Sequence, residues 1–376
     1  MSREEQNGDT GELENLLNEA VAHHRAGRLA EAEEIYRRIL VSNPEHPGAL
    51  CLLGTLSYMV GQYEAALELL TKSIAVNPDF ADAYGNLGAV LQSMGRGEEA
   101  LANFNNALSL NPDHTEVLNN KGACLKSLGR HDEAAICIRR SIEIRPDYAE
   151  AHYNLANTLR DQMHTDEALA SFRKAIQIRP DYAEAHNNLG DALRELGKLD
   201  EAEACLNKAL AINPELAMAH NNLGGTLRKM GKLDQAETSI RKALTLSPDI
   251  AQAHSNLGNV LNDLGKLSES VASYQKALAI KPDFAEAHNN LGTALHNLGK
   301  LDEAVESYQK ALAINPEYAE AYSNLAGALT KLGRLDEAAI HYFNAVYIKN
   351  SMHFAQIAND VALVPEMTLQ MKTLKS

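Results

Sequence analysis

The chain has 376 residues, 45% hydrophobic and 23% charged, enough apolar content to build cores and to exclude a disordered polypeptide. Thirty-five Lys and Arg against 50 Asp and Glu leave a formal charge of −15, the wrong sign for a protein that works by neutralising phosphates, so no nucleic-acid partner is expected. The 4 Cys include no CxxC pair and no zinc-ligand spacing, which argues for a reducing compartment and against disulfide or metal frameworks.

In chain order, residues 1–12 are polar and form an expected disordered tail. The opening MSREEQNGDTGELENLL carries acids where a secretory leader has a basic head and an apolar core. No run of about 18 apolar residues follows anywhere. A cytoplasmic chain with no membrane partner is therefore expected.

From Leu13 the sequence is periodic. Pro44, Pro78, Pro112, Pro146, Pro180, Pro214, Pro248, Pro282 and Pro316 are separated by 34 residues each, with no insertion or deletion. Ten such units end at Met352, and Asn350 stands where the next proline would fall. Ala recurs twelve residues before each proline, from Ala32 to Ala304 and again at Ala338, with Ser270 as the departure. Gly recurs five residues earlier still, from Gly27 to Gly333, missed once at Met163.

Each unit is predicted to be two helices. In Ala183 to Pro214, His186, Leu189, Gly190 and Leu193 follow the i, i+3, i+4, i+7 spacing of a buried stripe. Gly197 supplies the left-handed residue that stops the first helix. Asp200 is expected to cap the second, with Glu201 in its first turn and Ala202, Leu206 and Ala209 on its inner face. Pro214 halts that helix, and the Asp or Glu after each such proline is expected to cap the next unit. Gly190, Ala202 and Ala209 allow the two helices to approach closely, and larger side chains there would overpack them.

This pattern resembles the tetratricopeptide repeat over Leu13 to Met352. Where that family often carries Trp, this chain has Tyr84, His152, His186, His220, His254, His288 and Tyr322, and the aromatic four places after the Ala appears as Tyr36, Phe104, Phe172, Tyr274, Tyr308 and Tyr342. The resemblance implies an all-α, right-handed superhelical solenoid of about ten helix pairs, first helices on the concave side. After Met352, Phe354, Ile357, Val361 and the break at Pro365 predict a capping helix and a flexible tail within 353–376.

Asn188 lies roughly opposite the buried stripe of its helix, where a groove would be. The same place holds Asn18, Asn86, Asn120, Asn154, Asn222, Asn256, Asn290 and Asn324, and only Leu52 interrupts it. First helices about 10 Å apart would present one amide to roughly every third residue of an extended peptide. A carboxamide both donates and accepts, so such a row suits backbone recognition; its other reading is local hydrogen bonding within the repeat surface. AEAHNNLG with this Asn row is similar to the repeat region of protein O-GlcNAc transferases, which implies a grip on substrate polypeptide. The chain contains nothing resembling their sugar-nucleotide site.

Lys126, Arg160, Arg194 and Arg228 share one place in four consecutive units. They form a basic strip that would steer an acidic ligand, or else pair with Glu116, Glu150, Glu184 and Asp161. The repeated His cannot share a metal ion: ligands sit about 2 Å from one ion, whereas these places are on the order of 10 Å apart, so packing is expected. Cys124 and Cys137 read as small core filler or as a redox pair. No GxSxG, Gly-rich phosphate loop or HExxH occurs, so no catalytic residue, cofactor or metal is expected. The sequence therefore predicts a noncatalytic scaffold that binds a protein or extended peptide; the alternative is the recognition part of an O-GlcNAc-transferase-like enzyme whose catalytic domain is absent. A secretion or envelope adaptor is a third class, with no feature in its favour.

Overall fold

The computed structural model describes residues 3–362, with side chains from 12 to 350. These residues fall into two compact units that divide between Ala185 and His186. Up to the division run α1 (Arg3–Arg25), α2 (Leu29–Ser42), α3 (Pro47–Met59), α4 (Tyr63–Val76), α5 (Ala81–Ser93), α6 (Gly97–Leu110), α7 (Thr115–Ser127), α8 (His131–Ile144), α9 (Ala149–Asp161) and α10 (Thr165–Ile178). The division falls in the first turn of α11 (Ala183–Glu195). The second unit continues with α12 (Leu199–Ile212), α13 (Ala217–Lys229), α14 (Leu233–Leu246), α15 (Ala251–Asp263), α16 (Leu267–Ile280), α17 (Ala285–Asn297), α18 (Leu301–Ile314), α19 (Ala319–Lys331) and α20 (Leu335–Ala362). Every described element is a helix. The short links make consecutive helices antiparallel.

The turn within each pair follows from one backbone conformation. Gly197 has φ +74°, and Lys198 N–H donates to Leu193 C=O at 3.0 Å, the left-handed end that closes a helix. The same glycine place is left-handed in all nine units that keep it. Met163, where the glycine is missing, adopts φ +62° as well. The repeat geometry thus imposes on a methionine a conformation that disfavours any side chain.

Packing within a pair depends on the small residues. A Cβ on Gly190 would lie 2.7 Å from Leu206 Cγ and 3.2 Å from the Ala202 carbonyl oxygen. The recurrent Ala is fully or almost fully buried in every unit that has it, and Ser270 is buried in its place because its hydroxyl donates to Gly258 C=O at 2.8 Å. Tyr36, Phe104, Phe172, Tyr274 and Tyr308 are buried against these small residues, whereas Tyr342 in α20 is exposed.

The caps differ from the sequence expectation. α12 begins at Leu199 with Lys198 as its N-cap and no side-chain cap bond, so Asp200 sits inside the first turn and acts only through the helix dipole. Where caps are described, the acid after the proline does not cap the following helix either; where Asn precedes the proline, its side chain accepts from the acid's backbone N–H, as in Asn77 to Asp79 (3.2 Å) and Asn213 to Glu215 (3.0 Å). These Asx turns shape the link. α1 is helical backbone from Arg3, within the segment expected as a disordered tail over 1–12. α20 runs unbroken to Ala362, because Asn350 lacks the proline ring that stops the other second helices; the expected separate capping helix after Met352 is a continuation of α20. Residues 363–376, including the expected tail and the break at Pro365, lie outside the described residues.

Candidate functional site

In the second unit a cleft of about 470 Å³ is lined by first helices alone: Asp191 and Arg194 from α11, Met218 through Lys229 from α13, Gln252, Asn256 and Asn259 from α15, and Glu286 from α17. It brings Asn222 and Asn256 together with Arg194 and Arg228. In the first unit a smaller cleft of about 350 Å³ contains Asn86 and Asn120 above an apolar floor of Leu17, Leu52, Phe80 and Val117. These two clefts gather Asn86, Asn120, Asn222 and Asn256 from first helices, whereas a further cleft of about 520 Å³ in the second unit lies between α14, α15 and α16.

All eight singled-out Asn side chains, Asn86 to Asn324, are half-buried. Their amides are partly engaged already. Asn222 donates from Nδ2 to Oδ1 of Asn187 at 3.0 Å, Asn256 to Asn221 at 2.9 Å and Asn324 to Asn289 at 3.0 Å; in the first unit Asn154 donates to Asn119 at 2.9 Å. Each bond joins one first helix to the preceding first helix. The acceptors are buried Asn residues directly before a column Asn, and three of them also donate to that neighbour: Asn119 to Asn120, Asn187 to Asn188 and Asn289 to Asn290 at 3.0–3.4 Å.

In two units where the buried Asn is missing, a residue one turn later accepts in its stead. Cys51 and Ser255 occupy its place in two units, and there Asn86 donates to Thr55 Oγ1 at 2.9 Å and Asn290 to Asn259 Oδ1 at 3.1 Å. Asn259 is held in turn by the Tyr274 hydroxyl at 2.6 Å. For Asn120 the preceding unit has Gly85 and Ala89 at the two acceptor places, neither with a side-chain acceptor. The sequence reading missed these buried Asn. The signal was the doublet at Asn119–Asn120, Asn187–Asn188, Asn221–Asn222 and Asn289–Asn290.

A primary carboxamide has two N–H groups and two lone pairs. One N–H of each bonded column residue secures the neighbouring helix. That bond fixes the side-chain rotamer; Asn86 also donates to Cys51 Sγ at 3.5 Å, and Asn256 Oδ1 accepts from Gln252 at 3.2 Å.

The basic strip is paired with acids. Lys126 meets Asp161 at 3.0 Å, Arg194 meets Asp191 on its own helix at 2.5 Å, and Arg228 meets Asp263 at 2.6 Å; Arg160 is half-buried on α9. Of the expected partners only Asp161 is confirmed. Glu116 and Glu150 bond Arg145 and Arg179 instead, at 2.7 and 2.6 Å, because those guanidiniums precede the prolines and lie over the Tyr148 and Tyr182 rings within 3.7 Å.

His114 is half-buried at the mouth of the first cleft, with Nε2 2.9 Å from Asp82 and Nδ1 3.4 Å from Glu116. Its bond to Asp82 raises the imidazole pKa and lowers that of the carboxyl. The repeated His serve the links rather than simple packing: His152, His220, His254 and His288 donate from Nε2 to the carbonyls of Pro146, Pro214, Pro248 and Pro282 at 2.9–3.0 Å. Among the described residues no group of three or more His, Cys, Asp or Glu could hold a metal ion. Cys124 and Cys137 are free thiols beside one core, with pKa values raised by burial. No helix among the described residues is long and apolar enough to cross a membrane.

Family comparison agrees with this architecture. Models described as TPR repeat or tetratricopeptide repeat match residues 15–49, 54–95, 79–147, 116–181, 147–215, 205–238, 258–299, 285–318 and 307–339. The chain belongs to the tetratricopeptide repeat family. Among solved structures it is similar to a chain in the crystal structure of the APC/C hetero-tetramer Cut9-Hcn1, with TM-score 0.64 and 18% identity over 80% of this chain and 59% of that one. It thus spans less than two thirds of that chain, and the likeness is one of fold. Two crystal structures of MamA match 44% and 45% of this chain and 96% and 92% of theirs, at 27% and 26% identity and TM-scores of 0.40 and 0.39. No curated protein matches.

Proposed function

We propose that the chain is a noncatalytic interaction scaffold whose first-helix clefts hold an extended polypeptide, with the Asn column, Asn86 to Asn324, meeting the guest backbone. One observation carries the reading: the cleft that gathers Asn222, Asn256, Arg194 and Arg228 is lined by first helices alone. Affinity then sums many weak contacts, each placed by an amide that a neighbouring helix already orients. Lys126, Arg160, Arg194 and Arg228 act as a second layer. Charges engaged with Asp161, Asp191 and Asp263 orient acidic side chains of the guest by exchange rather than as bare cations. The O-GlcNAc-transferase-like alternative is supported by the same column and shares its prediction for the groove.

The test is a photo-crosslinking residue at Gly225, in the cleft, compared with one at Gln275, which is exposed on α16. Polypeptide adducts should form from Gly225 and fall at least fivefold when Asn222 and Asn256 are both replaced by Ala. Equal adducts from both positions, or adducts indifferent to the Asn replacements, would sink the proposal.

A further inference from the structure

α20 gathers on its outward face three large apolar residues at places where any other second helix has at most one, as Val41 on α2 and Ile136 on α8, 82% and 67% exposed. On α18 the places Glu306, Gln309 and Ala313 are exposed, and on α16 the corresponding residues are Ala272, Gln275 and Ala279. On α20 the same places hold Ile340, Phe343 and Tyr347, between 60% and 70% exposed. Phe343 and Tyr347 stack on each other with ring centroids 6.4 Å apart. Beside them Leu335, Tyr342 and Val346 are 46–63% exposed, whereas their α18 counterparts Leu301, Tyr308 and Leu312 are half-buried or buried.

At 100° per residue the six side chains span an arc of about 160°. In sequence, Phe354, Ile357 and Val361 recur in the same helical phase. The helix is also 28 residues long against 14 for α18, which gives the face room to engage another rod lengthwise.

We propose that this face is where two copies of the chain meet, α20 against α20 in antiparallel fashion about a two-fold axis near Tyr342 and Phe343. Three observations select a second copy. The six side chains expose on the order of 600 Å² of apolar surface, at the upper limit of what a monomer ordinarily leaves bare and close to the roughly 800 Å² per partner of a standard interface. The register is self-complementary, since an antiparallel copy sets Val346 against Ile340 of the other chain and each Phe343 beside its equivalent. The flanking charges agree: Asp336 lies near the start of the patch, next to Leu335, and Lys349 beyond its end, so the same operation brings each Lys349 toward the other chain's Asp336.

The test measures the mass of the full chain by sedimentation equilibrium over about 1–100 µM, the range in which an association of μM strength shows itself. The native sequence should move from one chain toward two. The combined variant Ile340→Glu, Phe343→Gln, Tyr347→Ala gives α20 the residues that α18 carries at those places, so helicity should be unchanged, and self-association should weaken at least 100-fold. Phe343→Cys should yield an oxidised covalent dimer, and Gln275→Cys should not. A native chain of single mass throughout the range overturns the proposal, as does a combined variant that associates as tightly as the native chain. Equal dimer yields from the two cysteine variants would exclude this face.

Discussion

Asn256→Ala separates the two duties assigned to the column. Asn221 is 1% exposed and its Oδ1 accepts from Asn256 Nδ2 at 2.9 Å. Removing the donor strands a buried acceptor, which costs about 1–3 kcal/mol, a factor of about 5–150 in an equilibrium constant. Because an array opens locally rather than all at once, the cost should appear in native-state amide exchange of α13 and α15, with distant helices unaffected. Replacing both partners, Asn221→Leu with Asn256→Ala, removes the stranded acceptor together with its donor. The double variant should recover at least about 1 kcal/mol relative to the sum of the singles. Asn120 is the internal comparison. Gly85 and Ala89 offer its amide no acceptor in the preceding helix, so Asn120→Ala should change exchange in α5 and α7 by less than about half as much. Exchange in α13 and α15 that moves by less than about 0.3 kcal/mol in Asn256→Ala, or strictly additive variants, would show that the amides do not join the helices.

Met163→Gly should stabilise α9 and α10 by about 0.5–1 kcal/mol, read from urea midpoints, because it relieves a left-handed methionine at φ +62° whose side chain is 85% exposed; a lower midpoint would contradict the strain argument. Gly190→Ala should cost about 1–2 kcal/mol despite the better helix propensity of Ala, since the new Cβ would be 2.7 Å from Leu206 Cγ, and Leu206→Ala in the same chain should recover part of it. His114 has a pKa raised above its ordinary 6.5 and Asp82 one lowered below its ordinary 3.8. The pair's contribution is therefore lost as pH rises through the raised His value and as pH falls through the lowered Asp value, and it is fullest between the two ordinary values. NMR titration of His114 should show the upward shift, and Asp82→Asn should reduce it, since Asp82 is the largest contributor beside Glu116.

What the sequence disclosed and what it withheld divide along a physical line. Features set by spacing along one helix were legible, whereas its side-chain caps were not: α12 starts at Leu199 with no side-chain cap bond. The left-handed place at Gly197, the small residues facing Leu206 and the half-exposure of the column at Asn188 all follow from spacing along a single chain segment. Features set by stacking were not. Asn221 and Asn222 diverge by about 100° on their helix, so a search for one inward stripe and one outward row assigns only Asn222 a role. That Asn221 is buried, and lies within 2.9 Å of a residue 35 positions later, depends on how far one first helix is offset from the next. Glu116 goes to Arg145, at the far end of the second helix of its own pair, instead of to the basic strip, and His220 turns back to the carbonyl of Pro214, six residues before it. Periodicity fixes the repeating element, while the pairing of side chains depends on translation between copies of it. For this reason the departures from the repeat carry the most information. Met163 records what the turn demands, Gly85 and Ala89 leave one amide without an acceptor in the helix before it, and Ile340, Phe343 and Tyr347 bring together exposed apolar side chains at three places where no other second helix has more than one. A face that departs from its own repeat at three places of one helical surface is best explained by a surface that it covers.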